Sequence, residues 1–73
     1  MMKEDEHLLL KALQKRGLSQ KKFMEESTLK ISERLNIPYK RARYICFKWT
    51  NKGIYNYGVS WRVGWLTEHG FSL

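Results

Sequence analysis

A chain of 73 residues suits one small domain, and at that size only about 60% of the unfolded surface is buried on folding, which argues against large enzyme architectures and deep substrate clefts. Fourteen Lys and Arg against seven Asp and Glu leave a formal charge of +7, so the expected partner is anionic, with nucleic acid ahead of a membrane surface. A composition 42% hydrophobic and 14% aromatic excludes disorder, the lone Cys46 excludes an intramolecular disulfide, and no run approaches the roughly 20 apolar residues of a membrane span.

The acidic Glu4, Asp5 and Glu6 precede a short apolar run, Leu8 to Leu10, that Lys11 ends at once. A signal peptide is built otherwise, and a reducing, cytoplasmic setting is expected. Leu9, Ala12, Leu13 and Arg16 recur at i, i+3, i+4 and i+7, with Leu8 and Leu10 widening the stripe, so a helix is expected over about residues 4 to 16. Its ends agree: acids stand at the positive end of the helix dipole, Lys15 and Arg16 at the negative end, and Gly17 can close it in a left-handed conformation.

Residues 18 to 27 admit several readings. Ser19 can cap a helix running through Phe23 and Met24, Ser27 or Thr28 can cap a fresh one, and Met24, Thr28, Ile31 and Leu35 share one face of a single long helix. The preferred reading is a short helix from about Thr28 to Leu35, ended by Asn36. Pro38 cannot continue it but suits the first turn of a third helix. That helix buries Ala42, Ile45, Cys46 and Trp49 and stops at Asn51, Lys52 and Gly53.

After Gly53 the period changes to two. Tyr55, Tyr57, Val59, Trp61, Val63 and Trp65 alternate with smaller or polar residues, the pattern of a pleated surface. Asn56, Tyr57 and Gly58 offer a turn, so a hairpin is expected with strands near 54 to 57 and 60 to 66. One of Trp61 and Trp65 is expected to pack beneath this hairpin and the other to be exposed.

Charge is unevenly spread. Residues 1 to 33 hold seven basic and six acidic residues, whereas residues 34 to 62 hold seven basic residues and no acidic one. Such a one-sign stretch is what a phosphate-facing surface needs, because neutralised phosphates release condensed counterions. At 100° per residue, Lys40, Arg43, Tyr44, Phe47 and Asn51 centre on the face of the third helix opposite its core stripe, with Arg41 and Lys48 flanking them. Lys40, Arg43 and Tyr44 are then placed near base edges, and Arg41 and Lys48 against phosphates. Phe47, an apolar ring on the outer side, fits a thymine methyl, the hairpin or a protein interface equally well.

The run Ile31-Ser32-Glu33-Arg34-Leu35-Asn36-Ile37-Pro38, followed by Ala42, Ile45, Cys46, Trp49 and Lys52-Gly53-Ile54, resembles the winged helix-turn-helix DNA-binding domain. Trp65-Leu66-Thr67-Glu68-His69-Gly70 is similar to the leucine-threonine-x-x-glycine close of the wing in MarR-type regulators. Asn36 stands where that family commonly has glycine, and Ser32 and Pro38 where it has alanine and serine or threonine. The resemblance covers roughly residues 28 to 70 and implies an α+β, mostly α fold of three helices and a two-stranded β-hairpin wing. It further implies a third helix in the major groove of double-stranded DNA, a wing on the backbone or minor groove, and binding as a homodimer, for which Met1, Met2 and Leu8 offer a surface. A domain of this size standing alone resembles small transcriptional regulators of phages, archaeal viruses and plasmids.

Arg62 sits on the expected wing with no acidic neighbour before Glu68 and suits the minor groove or a phosphate. No serine has a histidine and acid at recognisable spacing, and His7, His69 and Cys46 are scattered, so no enzyme activity, cofactor or metal is expected. Cys46 reads as a small buried hydrophobe. The rival function is a protein-interaction module docking through exposed Tyr44, Phe47 and Trp61; single-stranded nucleic acid is a third option.

Overall fold

The computed structural model describes residues 2–17 and 26–73. Among these, helix α1 (Glu4–Arg16), helix α2 (Thr28–Arg34) and helix α3 (Tyr39–Asn51) precede a two-stranded antiparallel hairpin, and a short helix α4 (Glu68–Ser72) follows it. The architecture is mostly α with a small β element. The alternatives for residues 18 to 25 lie outside the described residues.

Helix α1 has the expected bounds, with Gly17 closing it at φ 70°, but its buried stripe is rotated from the expected one. Glu6, Leu9, Leu10, Leu13 and Arg16 face inward, whereas Ala12 is only partly buried and Leu8 is exposed. Ser27 caps α2, its Oγ accepting from the Lys30 amide. The α2–α3 turn closes as a Schellman motif: Asn36 adopts φ 59°, its amide donates to the Glu33 carbonyl at 3.0 Å, and the Ile37 amide donates to Ser32 at 2.9 Å. Asparagine tolerates this left-handed backbone better than most non-glycine residues. Pro38 caps α3 from just outside, one position before its expected place in the helix.

Ala42, Ile45, Cys46 and Trp49 of α3 are fully buried, as the spacing requires, against Leu9 and Leu13 of α1, Ile31 of α2, and Ile54, Tyr55, Trp61 and Leu66. Burial pushes the Cys46 thiol up to about 12, so it packs as a protonated, apolar side chain.

The hairpin is shorter than alternation predicts. Strands β1 (Tyr55–Asn56) and β2 (Trp65–Leu66) pair Tyr55 with Leu66 and Asn56 with Trp65. The expected strand from residue 60 gives way to a 3-10 turn, Trp61–Val63, because the Ser60 side chain caps it by accepting from the Arg62 amide. Trp61 is thereby turned into the core while Val63 stays exposed. Trp65 is half-buried rather than fully exposed. The Tyr55 hydroxyl donates to the Trp61 carbonyl at 2.6 Å and lies 2.8 Å from Thr28 Oγ1, joining β1, the 3-10 turn and α2.

Helix α4 has no counterpart in the expected elements. Thr67 Oγ1 caps it by accepting from the Gly70 amide at 3.1 Å and also donates to the Ile54 carbonyl at 3.0 Å. Gly70 lies directly against that carbonyl, where a Cβ has no room. The threonine and the glycine of this segment thus fasten the end of the hairpin to its beginning.

Arg16, expected both on the α1 stripe and at the negative end of its dipole, is buried. Its guanidinium donates to the Glu26 carbonyl at 3.0 Å and the Gly64 carbonyl at 3.1 Å, tying α1 to the entrance of α2 and to the hairpin.

Candidate nucleic-acid interface

Helix α3 presents two polar surfaces. On the outer one, Lys40, Arg43, Tyr44, Phe47 and Asn51 are exposed. Neither Lys40 nor Arg43 has an acidic partner within salt-bridge distance among the described residues. The Arg43 guanidinium instead lies over the Phe47 ring, 5.1 Å from its centroid, a cation–π contact one helical turn apart. Phe47 stacks in turn on Tyr57 of the hairpin loop, with centroids 5.2 Å apart and planes at 27°. Of the three settings open to Phe47, the structure gives it the hairpin contact.

The surface facing α1 departs from expectation. Arg41 Nε donates to Asp5 Oδ2 at 2.7 Å, and Arg41 Nη2 to Asp5 Oδ1 at 3.0 Å and Glu6 Oε1 at 3.2 Å. Lys48 Nζ donates to the two Glu6 carboxylate oxygens at 2.9 and 3.0 Å. Arg41 and Lys48, expected against phosphates, are therefore engaged within the protein. Their positions i and i+7 put both on one flank of α3, and α1 lays its acidic first turn across that flank. Glu6 is 1% exposed, so its carboxylate is held by two cations in a nearly dry setting. Arg41 also lies 5.6 Å from the centroid of the Tyr44 ring.

Asp5 and Glu6, expected only to complement the α1 dipole, thus also pair with two cations of α3. The signal was present in the spacing, since Glu6, Leu9, Leu10 and Leu13 stand at i, i+3, i+4 and i+7, which places a carboxylate on the core stripe.

The hydrogen bond from Arg41 is the main cause holding the Asp5 carboxyl below its ordinary value of 3.8, with burial opposing it. A group depressed in the folded state contributes stability that is present above its unfolded value and lost as pH falls through the folded one. Asp5→Asn is accordingly expected to flatten the loss of stability below about pH 4, measured by urea denaturation across the acidic range.

Arg62 stands apart on the 3-10 turn, exposed, with Nε donating to Ser60 Oγ at 3.2 Å. That turn is joined to α3 by the ring of Trp61, which meets Tyr39 edge-on at 5.2 Å and 72°. The structure thus brings Lys40, Arg43 and Tyr44 together on the outer face, pairs Arg41 and Lys48 with the α1 acids while Arg41 still touches the Tyr44 ring, and carries Arg62 on a neighbouring element. Trp61, expected among the exposed aromatics of a protein-docking patch, is buried. For the expected self-association surface, Met2 packs partly against the core and Leu8 remains exposed; Met1 lies outside the described residues.

Among the described residues, no group of three or more His, Cys, Asp or Glu is arranged to hold a metal ion, and no helix is long and apolar enough to cross a membrane. Comparison of the chain with protein-family models, curated proteins and solved structures finds no match.

Proposed function

We propose that this chain is a winged helix-turn-helix domain that binds double-stranded DNA with sequence preference and acts in transcriptional regulation. Helix α3 enters the major groove, and the hairpin loop with Arg62 lies on the backbone or in the minor groove. The observation that carries this reading is the division of charge around α3. Both acids of the α1 first turn that reach α3 are spent on Arg41 and Lys48, which leaves the outer face, with Lys40 and Arg43, free of negative charge.

The dimensions agree. Thirteen residues make α3 about 20 Å long, and its outer side chains need only fit a groove about 12 Å wide. The Schellman turn at Asn36 and the Thr67–Gly70 fastening give physical roles to the residues that carry the family resemblance. Four cations of the acid-free half, Lys40, Arg43, Lys52 and Arg62, have no acidic partner among the described residues and remain for base edges and phosphates. The protein-interaction reading loses Trp61 to the core and one face of Phe47 to Tyr57. Two copies on adjacent half-sites, the arrangement the resemblance implies, and independence from any cofactor belong to the same proposal.

Arg43→Ala tests the assignment of the reading face. The variant is expected to lose about 1–3 kcal/mol on the preferred duplex and to relax base preference at one position, because a bidentate arginine discriminates by that amount. Its thermal unfolding is expected to match the parent's, since the side chain is exposed. Unchanged affinity and preference in a folded variant contradict the assignment.

A further inference from the structure

Arg43 is an exposed arginine with no acidic partner among the described residues, and its guanidinium lies over the Phe47 ring, 5.1 Å from its centroid. The Phe47 ring beneath it is itself held by Tyr57, which belongs to a different element. Tyr57 follows β1 directly, and its backbone is fixed on both sides. Asn56 pairs with Trp65 in the hairpin, and Asn56 Oδ1 accepts from the Gly58 amide at 3.1 Å. Gly58 takes φ 63° against the edge of the Trp65 ring, a conformation that other residues adopt only with strain. Hairpin, Tyr57, Phe47 and Arg43 therefore form one continuous stack running from the loop to the outer face of α3.

We propose that Tyr57 is a specificity-determining positioning residue: through Phe47 it fixes the plane in which Arg43 presents its guanidinium to a base. Planar, bidentate recognition depends on the orientation of the arginine fork. An unsupported side chain loses rotamer freedom on binding, and a side chain already stacked loses less. Tyr57 carries no charge, so it adds nothing to the salt-dependent attraction of phosphates. Its contribution falls on discrimination between bases.

This inference rests on the duplex-binding reading, and the experiment separates the two. The preferred duplex is first selected from a randomised double-stranded library with the parent protein, and a scrambled duplex serves as the non-specific reference. Failure of the parent to enrich any sequence overturns the reading itself. Given a preferred site, Tyr57→Ala and Tyr57→Leu are expected to lower the preferred-to-scrambled affinity ratio on the order of three- to tenfold, the equivalent of freeing one rotamer-rich side chain. Tyr57→Phe, which keeps the ring, retains the parent ratio. Affinity for scrambled duplex and the salt slope stay at parent values. In an Arg43→Ala background, Tyr57→Leu produces no further loss of ratio.

Tyr57→Leu keeps an apolar side chain in the half-buried position, so it reports even where the alanine variant is poorly folded. A parent-like ratio in folded Tyr57→Leu overturns the inference. So does an equal loss on both duplexes, which marks a structural role, or an additive loss in the double variant, which shows Tyr57 acting independently of Arg43.

Discussion

Trp49→Ala is expected to remove about 3–5 kcal/mol of stability and to leave the chain largely unfolded, seen as loss of the helical circular dichroism signal and of a cooperative urea transition. Trp49 is completely buried on α3, with its ring 6.4 Å from that of Tyr55. Its own carbonyl accepts from the Ile54 amide at 2.8 Å where the chain leaves α3 for β1. Truncation opens a cavity in the middle of a small core that cannot collapse around it without moving the hairpin. Trp49→Phe is expected to cost clearly less. The indole Nε1 has no acceptor among the described residues, and losing a buried, unpartnered N–H offsets part of the lost packing. Equal costs for the two substitutions contradict this placement of the indole.

Under the proposed function, Glu6→Ala is expected to move stability and duplex affinity in opposite directions. Removing the carboxylate leaves Arg41 without one partner and Lys48 without its only one among the described residues. Each of these cations is about a quarter exposed and can regain some water. The destabilisation is therefore expected near about 1–3 kcal/mol rather than the larger cost of stranding a fully buried charge. In the folded fraction, Lys48 and part of Arg41 become available to phosphates. Affinity for duplex of any sequence is expected to rise, and the slope of log affinity against log salt to steepen by about one unit for each phosphate gained. Denaturation and salt titration of the same variant check both halves. A parent-like stability contradicts the buried bridge, and a weaker affinity of the folded variant contradicts its role in withholding cations.

The helices were legible because several independent signals agreed at their ends. The α1 acids, Gly17, Asn36 and Pro38 all act where their conformational preferences place them. The burial of Ala42, Ile45, Cys46 and Trp49 follows from a stripe with no competing assignment. The hairpin was over-read for a physical reason: aromatic alternation from Tyr55 to Trp65 is a property of spacing, whereas Ser60 bonds locally to its neighbour's amide and bends the chain out of the ladder. The ion pairs of Arg41 and Lys48 with α1 escape the sequence for a different reason. Helical geometry fixes which face a side chain leaves from, but only the packing of α1 on α3 decides what it meets. Tyr57 was hidden for the same reason, since a stack between α3 and the hairpin joins residues ten apart in different elements.

Titration of the protein against duplex DNA at several salt concentrations tests the proposed function most directly. Affinity is expected to fall linearly on a log–log plot as salt rises, with a slope reflecting a few released counterions, in line with the four cations that lack acidic partners among the described residues. Binding that is absent, or that holds constant as salt rises, contradicts a DNA-binding role for the outer face of α3.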